Sequence, residues 1–184
     1  MMKRLVLTLC LVCAVVMGAM ANDLATFEVS GKVQSITGWN PFVGYVGNFN
    51  FSATGKLIPK GGLKVKRNQQ GKIVKVSKYD ADYCIDLFTE IKYDAKGRVK
   101  ECKVQGLEES WIGKYEYDAK GLVVKITKRG WCDGEEFEDV ETFEYKKIDA
   151  KGNWTRRVLT SKSVTDPNSK PYVAEENRRI GYYK

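Results

Sequence analysis

Three observations predict an all-β protein, an antiparallel meander of tandem β-hairpins forming one strongly curved sheet or open barrel. A phrase recurs: Tyr93-Asp94-Ala95-Lys96-Gly97 returns as Tyr117-Asp118-Ala119-Lys120-Gly121 and again as Ile148-Asp149-Ala150-Lys151-Gly152. Apolar residues repeat with period two on either side of each copy, as strands require. No stretch carries sustained helical spacing.

The recurring phrase has the chemistry of a turn. A type I turn favours Asp at its first position and Gly at its fourth. The Asp carboxylate can accept from backbone N–H groups two residues on. The Gly can take the left-handed conformation that closes a hairpin with a one-residue bulge. Two degenerate copies lie upstream. Residues 49–58 align with 115–124, which sets Gly55 against Gly121, and 65–74 align more weakly through Gly71. The five turn glycines, Gly55, Gly71, Gly97, Gly121 and Gly152, are separated by 16, 26, 24 and 31 residues. The uneven intervals put the insertions at the hairpin ends away from the Asp-Gly turns.

Taken in order, residues 1–21 read as a secretory signal peptide: a basic start at Lys3 and Arg4, an apolar run over 5–16, and the small-residue site Ala19-Met20-Ala21. The apolar run is shorter than the ~20 residues that a membrane-spanning helix needs. Leu9 and Val12 stand before Cys10 and Cys13 where a lipidation site would need a small residue. Subtracting the 21-residue leader from 184 leaves 163 residues, 22–184, enough for a single β domain with a sizeable core.

Phe27, Val29, Gly31 and Val33 alternate with Glu28, Ser30, Lys32 and Gln34, so 26–36 reads as the opening strand. Residues 38–47 form a loop rich in glycine and aromatic rings. Two degenerate hairpins follow over 49–58 and 63–79. Then come strands at 85–93, 99–105, 111–117, 122–131, 137–147 and 153–162, and a closing strand over 172–183. Pro171 suits a strand start, where it costs no ladder hydrogen bond. About ten to twelve strands are expected, joined as a meander. In 122–131 the simple alternation puts Leu122, Val124 and Ile126 on one face and Val123 and Trp131 on the other.

Without Lys3 and Arg4 the chain carries 29 basic and 23 acidic residues, a net charge of +6. The lysines alternate along strands, where they keep faces wet and edges unattractive to other strands. No basic cluster is interleaved with aromatics in the way nucleic-acid binding uses, so nucleic acid is not an expected partner. Three cysteines remain after the leader, Cys84, Cys102 and Cys132. The odd number leaves at least one unpaired. On a simple meander no two of them lie opposite, so no disulfide is assigned, and Cys102 reads as a small buried hydrophobe.

The chain has no histidine. That removes imidazole bases, Ser-His-Asp and Cys-His systems and His-containing metal sites. No motif calls for a cofactor or a metal. Carboxylates crowd the hairpin around Gly134, at Asp133, Glu135, Glu136, Glu138, Asp139 and Glu141, and Glu108-Glu109 sits in a loop. Paired carboxylates can hydrolyse glycosides, here with Glu136 and Glu138 as the pair, and a crowded acidic hairpin can hold Ca²⁺. The plainer reading is a solvated hairpin whose acids pair across the ladder, as Asp139 would with Arg129. Trp39, Phe42 and Tyr45 in the 38–47 loop are the ligand-binding candidates. Their rings would either stack on a sugar or partner, or plug one end of the sheet.

The repeats resemble the YD-repeat (Rhs-type) proteins of bacteria. The resemblance rests on Tyr93-Asp94-Ala95-Lys96-Gly97-Arg98-Val99 and Tyr117-Asp118-Ala119-Lys120-Gly121-Leu122-Val123. The stretch 149–155 is similar to the Gly-Asn-Trp-Thr variant, and Arg179-Ile180-Gly181-Tyr182-Tyr183 is similar to a terminal strand of such proteins. The likeness covers roughly residues 49–184. Ile148 stands in place of the motif's Tyr, and Arg67 and Asn68 in place of its Tyr-Asp pair. The resemblance implies stacked hairpins in a curved sheet, export, and a scaffold or surface-interaction role. The function expected is a non-enzymatic, exported structural or interaction module of the cell envelope, periplasmic or at the cell surface. Its partner would be an envelope protein or polysaccharide, and the mature chain would have no transmembrane segment. The alternative is a glycan-binding protein that uses the 38–47 loop.

Overall fold

The computed structural model describes residues 23–39, 47–82 and 85–184. The 1–21 leader, Phe42, Tyr45 and Cys84 lie outside the described residues.

All five predicted turns close with the same hydrogen bonds. At Asp94, Asp118, Asp149, Asn68 and Ser52 the residue's carbonyl accepts from the glycine three positions on, at 2.8–3.1 Å. Its own N–H donates to the carbonyl of the residue after that glycine, at 2.8–3.0 Å. The side-chain oxygen accepts from that same residue's N–H, at 2.8 Å for Asp118 and 2.9 Å for Asp94 and Asp149. Each glycine takes a φ between 75° and 86°. Burial pushes the Asp94 carboxyl up, but the N–H bonds and guanidinium of Arg98 outweigh it and hold its pKa below the usual range. Asp118→Ala is therefore expected to lower stability by about 0.5–2 kcal/mol, as loss of a comparable helix cap does. Chemical denaturation measures this; Asp94→Ala should cost at least as much, because Asp94 also pairs with the Arg98 guanidinium at 2.7 Å, where the Asp118 turn has Leu122.

A long sheet grows from these turns. It runs in the order β12-β11-β10-β9-β8-β7-β6-β5-β4, every neighbour antiparallel. Its strands are β4 (Lys64–Arg67), β5 (Ile73–Asp80), β6 (Ile85–Tyr93), β7 (Val99–Gln105), β8 (Glu109–Tyr117), β9 (Val123–Cys132), β10 (Glu135–Ile148), β11 (Trp154–Ser163) and β12 (Tyr172–Asn177). The tip between β9 and β10 is the two-residue turn Asp133-Gly134, both with positive φ, which suits the twist of a hairpin. A second sheet has the order β13-β1-β2-β3, from β1 (Val33–Thr37), β2 (Asn48–Phe51), β3 (Leu57–Ile58) and β13 (Arg179–Tyr182). The long sheet is open, with β4 and β12 as its edges.

β5, β7, β9 and β11, which leave repeat turns, are bulged against the strands before them, and the bulge changes which residues face inward. The register slips between Tyr117↔Val123 and Glu116↔Lys125, and likewise between Tyr93↔Val99 and Lys92↔Glu101. The buried residues are consequently three apart: Val123 and Ile126, Val99 and Cys102, Ile73 and Val76, Trp154 and Arg157. Val124, which simple alternation groups with Ile126, is 37% exposed, and Val123, which it sets on the other face, is buried with Ile126. One extra residue on the bulged strand turns the alternation over.

A tyrosine covers the carbonyl at the first three of these bulges. Tyr93 Oη donates to Ile73 O at 2.6 Å, Tyr117 Oη to Val99 O at 2.7 Å, and Tyr145 Oη to Val123 O at 2.6 Å. Burial raises all three phenols, Tyr93 and Tyr145 to about 12. In an unfolded chain they ionise near pH 10. The stability they contribute is whole below pH 10 and is lost as the pH climbs toward 12. Tyrosinate absorbance should therefore lag the free-tyrosine curve above pH 10 and rise together with loss of β circular dichroism; early, reversible ionisation of all tyrosines would contradict these locks.

The small sheet lies on one face of the large one. Phe27, Ile36, Phe49, Phe51 and Leu57 share a core with Ile73, Val76, Ile91, Val104 and Trp154. The other face carries cross-strand ion pairs, Lys92–Glu101, Lys125–Glu116 and Arg129–Glu138, each at 2.7 Å. Arg129 thus lies opposite Glu138, where the sequence reading paired it with Asp139.

Two strand expectations are corrected. Residues 26–36 are not one strand: Leu24–Phe27 is a 3₁₀ turn, Glu28 takes φ 52°, and the strand begins only at Val33. The closing strand over 172–183 is divided at Arg178. Before it the chain pairs with β11 in the large sheet, and after it with β1 in the small one.

Candidate functional site

Arg178 is the joint between the sheets. Its guanidinium donates to Trp154 O at 2.8 Å, Phe27 O at 2.8 Å and Glu28 O at 2.7 Å, and lies 3.7 Å from the Trp154 ring centroid. Burial lowers its pKa, opposed by the charge on Glu28. Glu28 is held by the same lattice: its Oε2 accepts from Trp154 Nε1 at 2.9 Å and from Arg157 at 2.7 Å. Arg157 also donates to Glu176. Burial opposes the Arg157 charge, but Glu28 and Glu176 outweigh it and raise its pKa. Asn153 joins in through Ser30, accepting from its N–H at 2.8 Å and donating to its carbonyl at 3.0 Å. The Asn-Trp pair of the third repeat therefore anchors the start of the fold.

Beside this lattice a cleft of about 310 Å³ opens on the inner face of β6–β12. Thr26, Glu28 and Trp39 form its near wall, and Glu109, Trp111, Lys128, Glu141 and Phe143 its far wall. Gly113 makes room for the Trp111 ring, and Gly130 for the close approach of the backbone that carries it. A Cβ on Gly113 would stand 3.0 Å from the Trp111 ring, and one on Gly130 would stand 2.0 Å from Ser110 O. Lys128 lies over the Trp111 ring, 4.4 Å from its centroid, and pairs with Glu141 at 2.5 Å. A second depression of about 410 Å³ shares Glu109, Trp111, Lys128 and Glu141 with the cleft and extends along the β9–β10 hairpin to Glu135, Phe137 and Asp139.

Trp39 and the acidic-hairpin residue Glu141, far apart in sequence, thus line one cleft. Trp39, the one candidate ring within the described residues, is only 8% exposed. It packs edge-on against Trp154 with centroids 5.3 Å apart, so it is a wall of the cleft as well as a core residue. Glu136 and Glu138 do not face the groove as a pair, because Glu138 is bonded to Arg129 on the opposite face. Reading the sequence missed Trp111, Lys128, Arg157 and Arg178. The neighbours of the three basic residues are mixed, Thr127 and Arg129 at Lys128, Arg156 and Val158 at Arg157, and Asn177 and Arg179 at Arg178, so no local pattern singles them out.

The groove offers rings, hydrogen-bond groups and charges, but no activated nucleophile. The Cys102 thiol, buried beneath it, is pushed up to about 12 by burial. The exposed Cys132 thiol is also raised, by desolvation first and then by Asp133 and the nearby glutamates. Among the described residues no three metal-ligating side chains come together. A thiol-labelling reagent should modify Cys132 in the folded protein and reach Cys102 only on unfolding, which peptide mass spectrometry resolves; labelling of both at equal rates would contradict the buried placement. Among the described residues no helix is long and apolar enough to cross a membrane. No family model matches the chain, and no curated protein matches its sequence.

Proposed function

We propose that the protein is an exported, non-enzymatic interaction module of the bacterial cell envelope, a small protein of the YD-repeat kind, and that it binds its partner in the groove. The observation that carries this reading is the groove's position. Trp39 and Glu141, from the two stretches that break the repeat, both line it, while the repeats themselves are accounted for by turns and tyrosine locks. Interaction sites concentrate where a regular scaffold is interrupted. Two acids that line the groove are committed to ion pairs, Glu28 with Arg157 and Glu141 with Lys128, which suits recognition more than turnover. The second reading, glycan binding, is favoured by Trp39 and Trp111, which both line the cleft, since flat rings flanked by carboxylates suit sugars.

Affinity capture from cell envelopes tests both, using the chain from Asn22 onward and its Trp111→Ala variant, with circular dichroism as the check on folding. Recovery of a protein partner supports the first reading and recovery of a polysaccharide the second, in each case lost with Trp111→Ala. Capture that is unchanged in the variant contradicts the groove as the site. Turnover of an envelope polymer contradicts the non-enzymatic reading.

A further inference from the structure

We infer that the protein pairs with a second copy of itself through the free edge of β12. The two edges of the large sheet are unlike. β4 is four residues long and carries Lys64, Lys66 and Arg67, the blunting that keeps edges from adding strands. β12 has no lysine, and Tyr172 and Val173 are 64% and 60% exposed, more than the other large apolar side chains of the described residues.

The ladder fixes which backbone groups are free. Arg178 N–H donates to Thr155 O at 3.0 Å, continuing the register in which Glu176 faces Arg157, Ala174 faces Leu159 and Tyr172 faces Ser161. Antiparallel pairs alternate, so Tyr172, Ala174 and Glu176 point their backbone groups at β11, and Val173, Glu175 and Asn177 point theirs outward. At Asn177 the edge is closed off, because its carbonyl lies 3.3 Å from where a Cβ on Gly38 would stand. From Val173 to Glu175 the outward groups have no hydrogen-bond partner among the described residues.

A two-fold axis through Val173 makes this edge self-complementary. Val173 then faces the partner's Val173, and Tyr172 faces the partner's Ala174. Lys170 faces the partner's Glu176, an opposite-charge pair repeated on each side of the axis. Pro171 falls opposite the partner's Glu175, where its carbonyl accepts from the Glu175 N–H and its missing N–H leaves the Glu175 carbonyl to water, a loss tolerated at the end of a ladder. Moving the axis to Glu175 would set like charges against each other. Pairing through Val173 covers the two exposed apolar residues and places the two copies' clefts on the same side of a continuous sheet, with Glu176 lining each.

Sedimentation velocity over a range of concentrations, on the chain from Asn22 onward, tests this; residues 23–184 hold both sheets and the core between them. The expected result is a mass of two chains that falls to one on dilution. Val173→Pro removes an outward N–H without touching the β11 ladder and should leave only the single-chain mass. Val173→Lys, which changes no backbone group, sets two like charges on the axis and should do the same with an unchanged circular dichroism spectrum. A single-chain mass for the unaltered protein at every concentration overturns the inference, as does a two-chain mass that survives Val173→Lys.

Discussion

Replacing Arg178 with Ala is expected to lower folding stability by about 3–5 kcal/mol, because three carbonyls lose a charge-assisted donor inside the protein. The three, Trp154 O, Phe27 O and Glu28 O, come from β11 and from the segment before β1, so one side chain ties the start of the chain to its last hairpins. For a chain of this size each kcal/mol moves Tm by roughly 2–4 °C, so thermal unfolding should show a fall of about 6–20 °C. Arg178→Lys should recover little of the loss. An ammonium cannot reach three carbonyls in one plane or stack on the Trp154 ring as a guanidinium does. A Lys variant as stable as the unaltered protein would show that Arg178 acts only as a charge.

The second large effect is expected at Trp154, the bulkiest of the fully buried side chains. Trp154→Ala should cost about 3–5 kcal/mol through the cavity it leaves. The indole also donates to Glu28 at 2.9 Å and carries the Arg157 and Arg178 guanidinium groups on its faces, 4.2 and 3.7 Å from the ring centroid. Its loss and that of Arg178 should therefore not add. The double variant is expected to lose at least 1 kcal/mol less than the two single losses together, as contacting residues do. Denaturant unfolding of the four proteins measures the coupling. Strict additivity would mean that the ring and the guanidinium stabilise the fold independently.

The turns were legible in the sequence because a short phrase carries their whole mechanism: Asp94, Asp118 and Asp149 accept, and the glycines supply positive φ. Even the degenerate copies at Ser52 and Asn68 obey it. The bulges were not legible face by face. A glycine turn predicts that a bulge exists but not which later residue it turns inward, so Val123 and Val124 exchanged places. The strand expected over 26–36 failed for a different reason. Its alternation is real in composition, but Glu28 adopts φ 52° because Arg157, Trp154 and Arg178 hold it there. Those partners lie 126 or more residues away, and no local pattern announces them. The groove was half legible. Trp39 and Glu141 stood out as breaks in the repeat, but only the fold of β6–β12 brings them together with Trp111 and Lys128.

The lattice also explains why the third repeat departs from the others. At the earlier bulges a tyrosine hydroxyl covers the free carbonyl; at Trp154 the Arg178 Nε does so. Ile148 can replace the motif's Tyr because Tyr145, three residues earlier, already serves Val123 O, and Ile148 itself is exposed. Asn153, Trp154 and Tyr182 then turn from repeat positions into anchors for Ser30, Glu28 and Asp149. The near wall of the groove is thus only as fixed as this docking of the chain's start onto its end.

Amide hydrogen exchange tests that docking most directly. Thr26, Glu28 and Val29 donate their N–H groups within the 3₁₀ segment, to Asp23 O, Ala25 O and Leu24 O. Segments near a chain end ordinarily open locally and exchange early. If the Glu28, Trp154, Arg157 and Arg178 lattice locks this one in place, its amides should exchange as slowly as those of β7 and β11, through global unfolding alone. Fast exchange at Thr26–Val29 while β7 and β11 stay protected would contradict the lock, and with it the fixed wall of the proposed binding groove.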